Sequence, residues 1–513
     1  MRIICSLIAV LLMLGSLVSC KKPEYKDADK VELENNTVSG DITTIKDVDE
    51  IKPVQGSTVD EEATQIVLNG SETAVGFDGA AFADNTLTIT KAGTYLLTGT
   101  LEEGALVVDT QDGETVKLIF NGVSISNSKI SPITVINAPK RVTIHIQKNS
   151  VNKVVDTAQN KNGQYGEDAA IYSKEDLRFT GAGTLVVESK YDKGIVSKDD
   201  LEIKNGNITV KSAGDCINGK DLVTVMGGVL NLTSIDADAI ESGNNETLGK
   251  GIVTIDAGDI YISAGDDGIH AEQQLHINGG NINVIKSVEG IEGIQIYING
   301  GNTVINASDD GVNANGGNSM MGPGGPGGGG PGGPGGPGVG GDGRPGKPRS
   351  MGESDTQTSS TTDVTKDIES KLVVSGGYLE VTTPSGDTDG IDSNGTIEIS
   401  GGTVFVKSKA SMGGMAGSID CEMGLTVTGG NVIALGGICE TPEGASTNYT
   451  VTFNRTTLSV GKYLVTDAEG TELLSFELDS SYSGGWISLE AFVKSGKYEI
   501  LRDGTRVASL TAS

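Results

Sequence analysis

The sequence predicts an all-β chain wound as a right-handed parallel β-helix, with about 21 to 24 residues per coil and three short strands in each. Three observations carry this reading. The stretch Gly265 to Ser287, GDDGIHAEQQLHINGGNINVIKS, has close relatives before and after it, each with an acidic residue, glycine, an apolar residue, a small residue and then L-x-I-x-G-G-x-I-x-V. With 75 glycines and 4% aromatics in 513 residues, the composition is that of many short strands closed by tight turns. Finally, a single such unit has too few aliphatics, at roughly 1.5–3 kcal/mol each, to offset ordering costs of roughly 1–2 kcal/mol per residue. It must stack on neighbours. The right hand follows from the general preference of parallel crossovers.

Taken in order, Arg2 and the apolar run Ile3 to Leu14 form a secretory signal, too short to span a bilayer. Leu17-Val18-Ser19-Cys20 resembles the lipobox of bacterial lipoproteins, which implies cleavage before Cys20 and acylation there. The expected organisation is a signal over 1–20, a flexible tether over 21–62, the β-helix over 63–437 and a C-terminal β cap over 438–513. The tether is polar, charged and without period. From Thr64 alternating runs read as strands, among them Leu87 to Thr90, Leu106 to Val108 and Val142 to Ile146.

The regular repeats align on Ile171, Ile195, Ile217, Ile240, Ile269, Ile291, Val312, Ile391 and Ile419. Two positions after each anchor the residue is small (Ser173, Ser197, Gly219, Ser242, Ala271, Gly293, Ala314, Ser393, Cys421), as stacked neighbours require. Residues such as Leu275, Ile277, Ile282 and Val284 supply continuous inner columns. A Gly/Pro-rich and then Ser/Thr-rich insertion at about 316–370 reads as a disordered surface loop within one coil. It lacks the sustained glycine period of collagen, and the array lacks the G-G-x-G-x-D-x nonapeptide of calcium-binding rolls. After Gly437 the period is lost, and Tyr449 to Phe453, Tyr463 to Thr466, Leu473 to Leu478, Trp486 to Leu489 and Tyr498 to Leu501 read as antiparallel strands of the cap.

The net charge of −30 repels a phosphate backbone, so no nucleic-acid partner is expected, and cations are the natural counterpart. Beyond Cys5 and Cys20, three cysteines remain (Cys216, Cys421, Cys439). An odd number in an exported chain argues against a disulfide framework.

Chemistry concentrates in two acidic columns. Asp215, Asp238, Asp267, Glu289, Asp310 and Asp389 stand two positions before the anchor, and Lys193 interrupts that column at its start. Asn218, Glu241, His270, Glu292, Asn313, Asp392 and Asp420 stand one position after it, with Asp236, Asp266, Asp309 and Asp387 nearby. Ionised carboxylates stacked at ~4.8 Å repel by roughly 3 kcal/mol at an effective dielectric near 20. Calcium relieves this, since it accepts carboxylate and carbonyl oxygens in irregular geometry. The expected ligands are Asp215, Asp238, Glu241, Asp266, Asp267, Glu289, Glu292, Asp309, Asp310, Asp387, Asp389 and Asp392. Aspartates capping turns through backbone N–H groups are the competing explanation. The second acidic column favours metal.

Other positions carry less. Asn207, Asn281, Asn302 and Asn431 suggest a hydrogen-bonded ladder, and Cys216 and Cys421 read as buried inert thiols. His145, His270 and His276 form no metal-spaced cluster, though His270 shares the acidic column. Few aromatics lie on the coils, which argues against a stacking platform for neutral sugars.

The lipobox, the segments Lys91-Ala92-Gly93-Thr94-Tyr95 and Phe120-Asn121-Gly122-Val123-Ser124-Ile125, the D-x-G-I repeats and the Gly/Pro insertion together resemble a family of exported bacterial β-helical carbohydrate-binding domain proteins, similar to pectate lyases in fold. The resemblance covers roughly Ala63 to Gly437. It implies calcium sites and binding of plant-type or acidic polysaccharide. The expected function is calcium-dependent binding of polysaccharide, acidic and pectin-like or another cell-wall glycan, by a monomer held to the bacterial membrane or surface through its N-terminal lipid alone. Cys216, Ser418 and Lys193 depart from the repeat at the two ends of the array. A calcium-dependent polysaccharide lyase is the enzymatic alternative, with Lys193, Lys198, Lys220 or Lys250 as base. A non-catalytic surface adhesin is the structural one.

Overall fold

The computed structural model describes residues 52–59, 61–159, 166–315, 363–386, 388–409, 416–437, 439–453 and 456–513. The signal segment with Cys20, most of the tether and most of the insertion lie outside them. Among the described residues no helix is long and apolar enough to cross a membrane.

Nine anchors aligned by sequence are neighbours in space. Ile171 pairs with Ile195, Ile195 with Ile217, Ile217 with Ile240, Ile240 with Ile269, Ile269 with Ile291, Ile291 with Val312 and Val312 with Ile391, all parallel. An isolated parallel bridge joins Ile391 to Ile419. The column continues upstream through Ile133, Leu106 and Leu87, where the acidic signature is missing. Each coil passes through three parallel sheets, as the Ile240 coil shows: Ile240–Ser242 in the first, Ile252–Ile255 in the second, Asp259–Ser263 in the third. The chain is a parallel β-helix.

Alternation at period two sends one side of every strand inward, and the inner columns are fully buried: Leu201, Val223, Val253, Leu275 and Ile296 in the second sheet, Ile208, Leu230, Ile260, Ile282 and Thr303 in the third. The small residues two positions past the anchors sit at the corner between the first two sheets. A Cβ on Gly219 there would lie 2.5 Å from the Leu222 carbonyl oxygen. The glycine of D-x-G-I has an equally local cause. A Cβ on Gly311 would come within 2.6 Å of the carbonyl oxygen of Gly390, one coil on, and one on Gly390 would approach that of Ser418 as closely. Crowding by the next coil, rather than backbone freedom, selects glycine at these positions.

Among the described residues the asparagines expected to form a ladder, Asn207, Asn281, Asn302 and Asn431, are not bonded to one another, and an exposed ladder runs three positions earlier instead. Asn278 donates to Asp256 and Asn299 to Asn278, both at 2.9 Å, and Ser375 donates to Asn299 at 2.8 Å. Asn281 instead donates to Asp259 and Asn207 to Thr184. Where the insertion rejoins the coil, residues 363–370 are ordered, with a short 3₁₀ turn over Val364–Asp367 begun by the Asp363 side chain.

The last coil is closed by antiparallel strands. Gly485–Leu489 pairs with Asn431–Leu435 on one side and with Tyr449–Thr452 on the other, covering the open edge of the third sheet. The buried indole of Trp486 donates to the Glu440 carbonyl at 2.7 Å. A four-stranded sheet (Gly461–Asp467, Glu472–Leu478, Lys497–Arg502, Thr505–Thr511) then packs Tyr463, Val465 and Leu474 against Phe405, Ile433 and Leu435 of the final coils.

Candidate functional site

The acidic positions fall at the entry to the first sheet. The residue two before each anchor lies in the turn, the glycine admits the next coil, the anchor points inward and the following residue points outward. Registers Asn218 to Glu241, Glu241 to His270, His270 to Glu292 and Glu292 to Asn313 therefore build one outward file beside the turn aspartates. The two columns merge into a single ribbon.

Three overlapping clusters run along it, in each of which ligand atoms lie within 4.8 Å of one another: Asp215, Asp238 and Glu241; Asp238, Asp267 and His270; Asp267, Glu289 and Glu292. Six expected ligands are thus brought together, with His270 as a seventh member. Asp266, Asp309, Asp310, Asp389 and Asp392 join no such cluster among the described residues, and Asp387 lies outside those residues. Asp310 and Asp389 cap turns: their Oδ1 atoms accept from the backbone N–H of Asp389 at 2.7 Å and of Gly417 at 2.5 Å. Asp238 does both, since its Oδ1 accepts from Asp267 N–H at 2.9 Å.

The ribbon carries internal cations at one end and in the middle. Lys193 Nζ lies 2.7 Å from Asp215 and 3.6 Å from Glu241, so the residue that breaks the acidic column by sequence neutralises its first rung. The Asn218 amide donates to Asp215 at 2.9 Å and also to Glu241. His270 Nδ1 stands 3.6 Å from Asp238, 3.8 Å from Asp267 and 3.9 Å from Glu292. Beyond it, Asn313 Nδ2 donates to Glu289 at 2.9 Å, while Asn313 Oδ1 is buried with no hydrogen-bond partner.

These surroundings set the protonation. Burial pushes Asp267 up to about 10, with the charge of Asp238 and a hydrogen bond to Glu292 adding to it. Burial also raises Glu289 to about 8, helped by the Glu292 charge. Glu241 reaches about 8 through burial and its hydrogen bond with Asp215. Asp215 goes the other way: burial opposes ionisation, but the Glu241 hydrogen bond and Lys193 outweigh it. For His270, burial is overcome by the bond to Asp238 and the charges of Glu292, Asp238 and Asp267, and the imidazole rises to about 10. At neutral pH the ribbon therefore shares protons among its carboxylates.

A hard cation suits this donor set, which is all oxygen apart from His270. Asp267, Glu289, Glu292 and Asn313 Oδ1 fit best. They include the orphaned acceptor, and among the described residues no lysine is paired with them as Lys193 is with the first rung.

A second acidic group, Asp176, Asp199 and Asp200, lies at the corner between the first and second sheets and was not anticipated. Its signal is in the sequence: Ser173-Lys174-Glu175-Asp176-Leu177, Ser197-Lys198-Asp199-Asp200-Leu201 and Gly219-Lys220-Asp221-Leu222 repeat one corner motif. Basic side chains answer it, with Arg141 3.3 Å from Asp176 and Lys250 bonded to Asp221. Burial and the Asp176 charge raise Asp200 to about 6.

The lysines considered as bases are all engaged with acids. Lys198 pairs with Asp168 at 3.1 Å and Lys220 with Glu246 at 3.4 Å, while Lys193 and Lys250 are held above the usual lysine range. For Lys193, burial opposes the proton and the Asp215 and Glu241 charges prevail. For Lys250 the Asp221 hydrogen bond dominates. A lysine base needs the opposite shift. Cys216, Cys421 and Cys439 are free thiols, and burial pushes Cys216 up to about 12, well away from nucleophilic use.

Comparison with known proteins gives the ribbon a context. A family model described as a carbohydrate-binding domain-containing protein matches residues 83–325. A carbohydrate-binding domain-containing protein of Acetivibrio thermocellus is 34% identical over 237 residues, which is 46% of this chain and 82% of that protein. A solved polysaccharide lyase-like protein from C. thermocellum, a gadolinium derivative, is 29% identical, with a TM-score of 0.41 over 47% of this chain and 94% of that one. Through the Acetivibrio relative, most of whose length it covers, the chain belongs to the family of carbohydrate-binding domain-containing proteins.

Proposed function

We propose that this protein binds polysaccharide at the acidic ribbon in a calcium-dependent way, the ligand being an acidic, pectin-like polymer or related cell-wall glycan. Membership of a carbohydrate-binding family supports the glycan. The observation that carries the metal is the convergence of Asp267, Glu289 and Glu292 beside the buried, unpartnered Asn313 Oδ1. A bound calcium ion would supply the positive charge that lets a protein of net charge −30 approach a polyuronate. Asp267 and Glu289 release their protons to hold it, and His270, cationic between Asp238 and Glu292, keeps the neighbouring rung neutral. The stacked coils hold these groups on rigid strands, so little ordering accompanies binding.

Export and lipid anchoring at the bacterial surface are part of the proposal, supported by the apolar run Ile3 to Leu14 and the sequence ending at Cys20. Titration of polygalacturonate into the protein, with calcium and then with excess chelator, tests it. Binding is expected with calcium only. Chelation that leaves the affinity unchanged removes calcium from the account.

A further inference from the structure

At the C-terminal end of the array two rings of the coils, Tyr378 and Phe405, meet two rings of the cap, Tyr463 and Phe476. A cleft of about 790 Å³ opens between the outer face of the third sheet and the cap, lined from the coils by Tyr378, Glu380, Phe405 and Lys407 and from the cap by Tyr463 and Phe476. That volume lies within the usual 300–1,000 Å³ of small-molecule sites. Registers Tyr378 to Thr403 and Glu380 to Phe405 set these side chains on adjacent strands of one face. Phe476 stacks on Tyr463 with ring centres 5.1 Å apart and meets Phe405 edge-on at 5.7 Å. Phe405 and Tyr463 are buried in the joint between coils and cap, and the half-buried rings of Tyr378 and Phe476 are the aromatic surface that the cleft presents.

The polar side of the cleft is an ion pair with its own support. Lys407 Nζ lies 2.6 Å from Glu380, both side chains are over nine-tenths buried, and the Tyr378 hydroxyl donates to Glu380 at 2.8 Å. Lys407 Nζ also sits 5.2 Å from the Phe405 ring centre. A buried ion pair contributes little net stability, since desolvation offsets the attraction. Apolar residues at these positions would extend the Phe405 and Ile433 surface at no such cost. What the pair does provide is a fixed donor and a fixed acceptor beside an aromatic wall.

We propose that this cleft is a second glycan site, distinct from the acidic ribbon, and that it takes a neutral oligosaccharide segment without a cation. Sugar rings present C–H faces that lie against aromatic rings and hydroxyl edges that both donate and accept, which is the chemistry these walls offer. A uronate is disfavoured. The charge of Lys407 is committed to Glu380, and Lys462, the other lysine at the rim, stands opposite Glu477 with Asp479 near by. The cap follows the segment matched by the carbohydrate-binding family model. The site belongs to the coil and cap together.

The test uses the full chain in excess chelator, which silences the ribbon, so failure of either site is seen separately. Neutral hexaoses of gluco, manno and xylo configuration are titrated calorimetrically against the protein and two variants. Tyr378→Ala removes a wall ring while leaving the Glu380–Lys407 pair, and Thr382→Trp fills the cleft from a half-buried position. Saturable binding of at least one hexaose, weakened tenfold or more by a variant whose unfolding midpoint matches the parent, is the expected result. No binding of any hexaose, or binding unchanged in both variants, overturns the proposal.

Discussion

Lys193 Nζ lies 2.7 Å from Asp215 Oδ2 at the first rung of the acidic ribbon, in the position that the later coils give to an acid. The lysine supplies a positive charge from within the chain at this rung, as His270 does in the middle of the ribbon. Replacing Lys193 by methionine keeps the stem and removes the charge. The substitution should cost roughly 3 kcal/mol in chelator, the lower end for a broken buried pair, because Lys193 keeps some solvent contact. Added calcium should recover much of that loss. Urea unfolding with and without the metal checks both statements, and a variant as stable as the parent in chelator would count against them.

Stability should fall as pH rises when no cation is present. Glu241 and Glu289 titrate at about 8 and Asp267 at about 10 in the folded chain, against about 4 when unfolded. Between those limits the folded state holds the extra protons, so each unit of rising pH favours unfolding. His270 acts in the same direction: its stabilising contribution is complete below about 6.5 and is lost as pH climbs through about 10. The melting temperature in chelator is expected to decline from pH 6 to 9.5, and calcium should raise it more at pH 9 than at pH 6. A midpoint that climbs with pH in chelator would show that the ribbon is not proton-sharing.

His270 competes with a metal for the same carboxylates, being 3.8 Å from Asp267 and 3.9 Å from Glu292. The substitution His270→Gln removes that competitor. Calcium affinity at pH 6.5 should rise severalfold, and its pH dependence should become shallower. Titration calorimetry at pH 6.5 and 8.5 reads both effects, and weaker calcium binding in the variant would instead make His270 a ligand.

The glycine of the repeat is a packing requirement. In Gly311→Ala the new methyl meets the Gly390 carbonyl at 2.6 Å, while nothing lies within 4 Å of a Cβ at Gly76. The first substitution should cost about 3 kcal/mol, the upper end for overpacking, and Gly76→Ala within about 0.5 kcal/mol of neutral. Equal unfolding midpoints for the two would refute the crowding explanation.

How far the sequence disclosed this molecule differs from residue to residue. The anchors from Ile171 to Ile419 were legible because stacking repeats one apolar position at nearly constant spacing, so aligning the repeats amounts to aligning strands. Leu87, Leu106 and Ile133 belong to the same column, yet their coils lack the acidic turn and vary in length, which hides the period. The two acidic columns were readable, but not which members converge. Turn aspartates such as Asp310 and Asp389 serve backbone N–H groups, whereas Asp267, Glu289 and Glu292 face one another. That division depends on side-chain direction in the turn. The Tyr378, Phe405 and Phe476 wall was invisible because its rings are about 25 to 100 residues apart and meet only when the cap folds back.

The most direct test of the ribbon is a calcium titration of the full chain at pH 7 in two buffers of different ionisation enthalpy, repeated with Asp267→Asn/Glu289→Gln. Saturable binding that releases protons in the parent, weakened tenfold or more in the variant, is the expected result. Calcium binding that releases no proton, or that is the same in both proteins, would contradict a metal site at Asp267, Glu289 and Glu292.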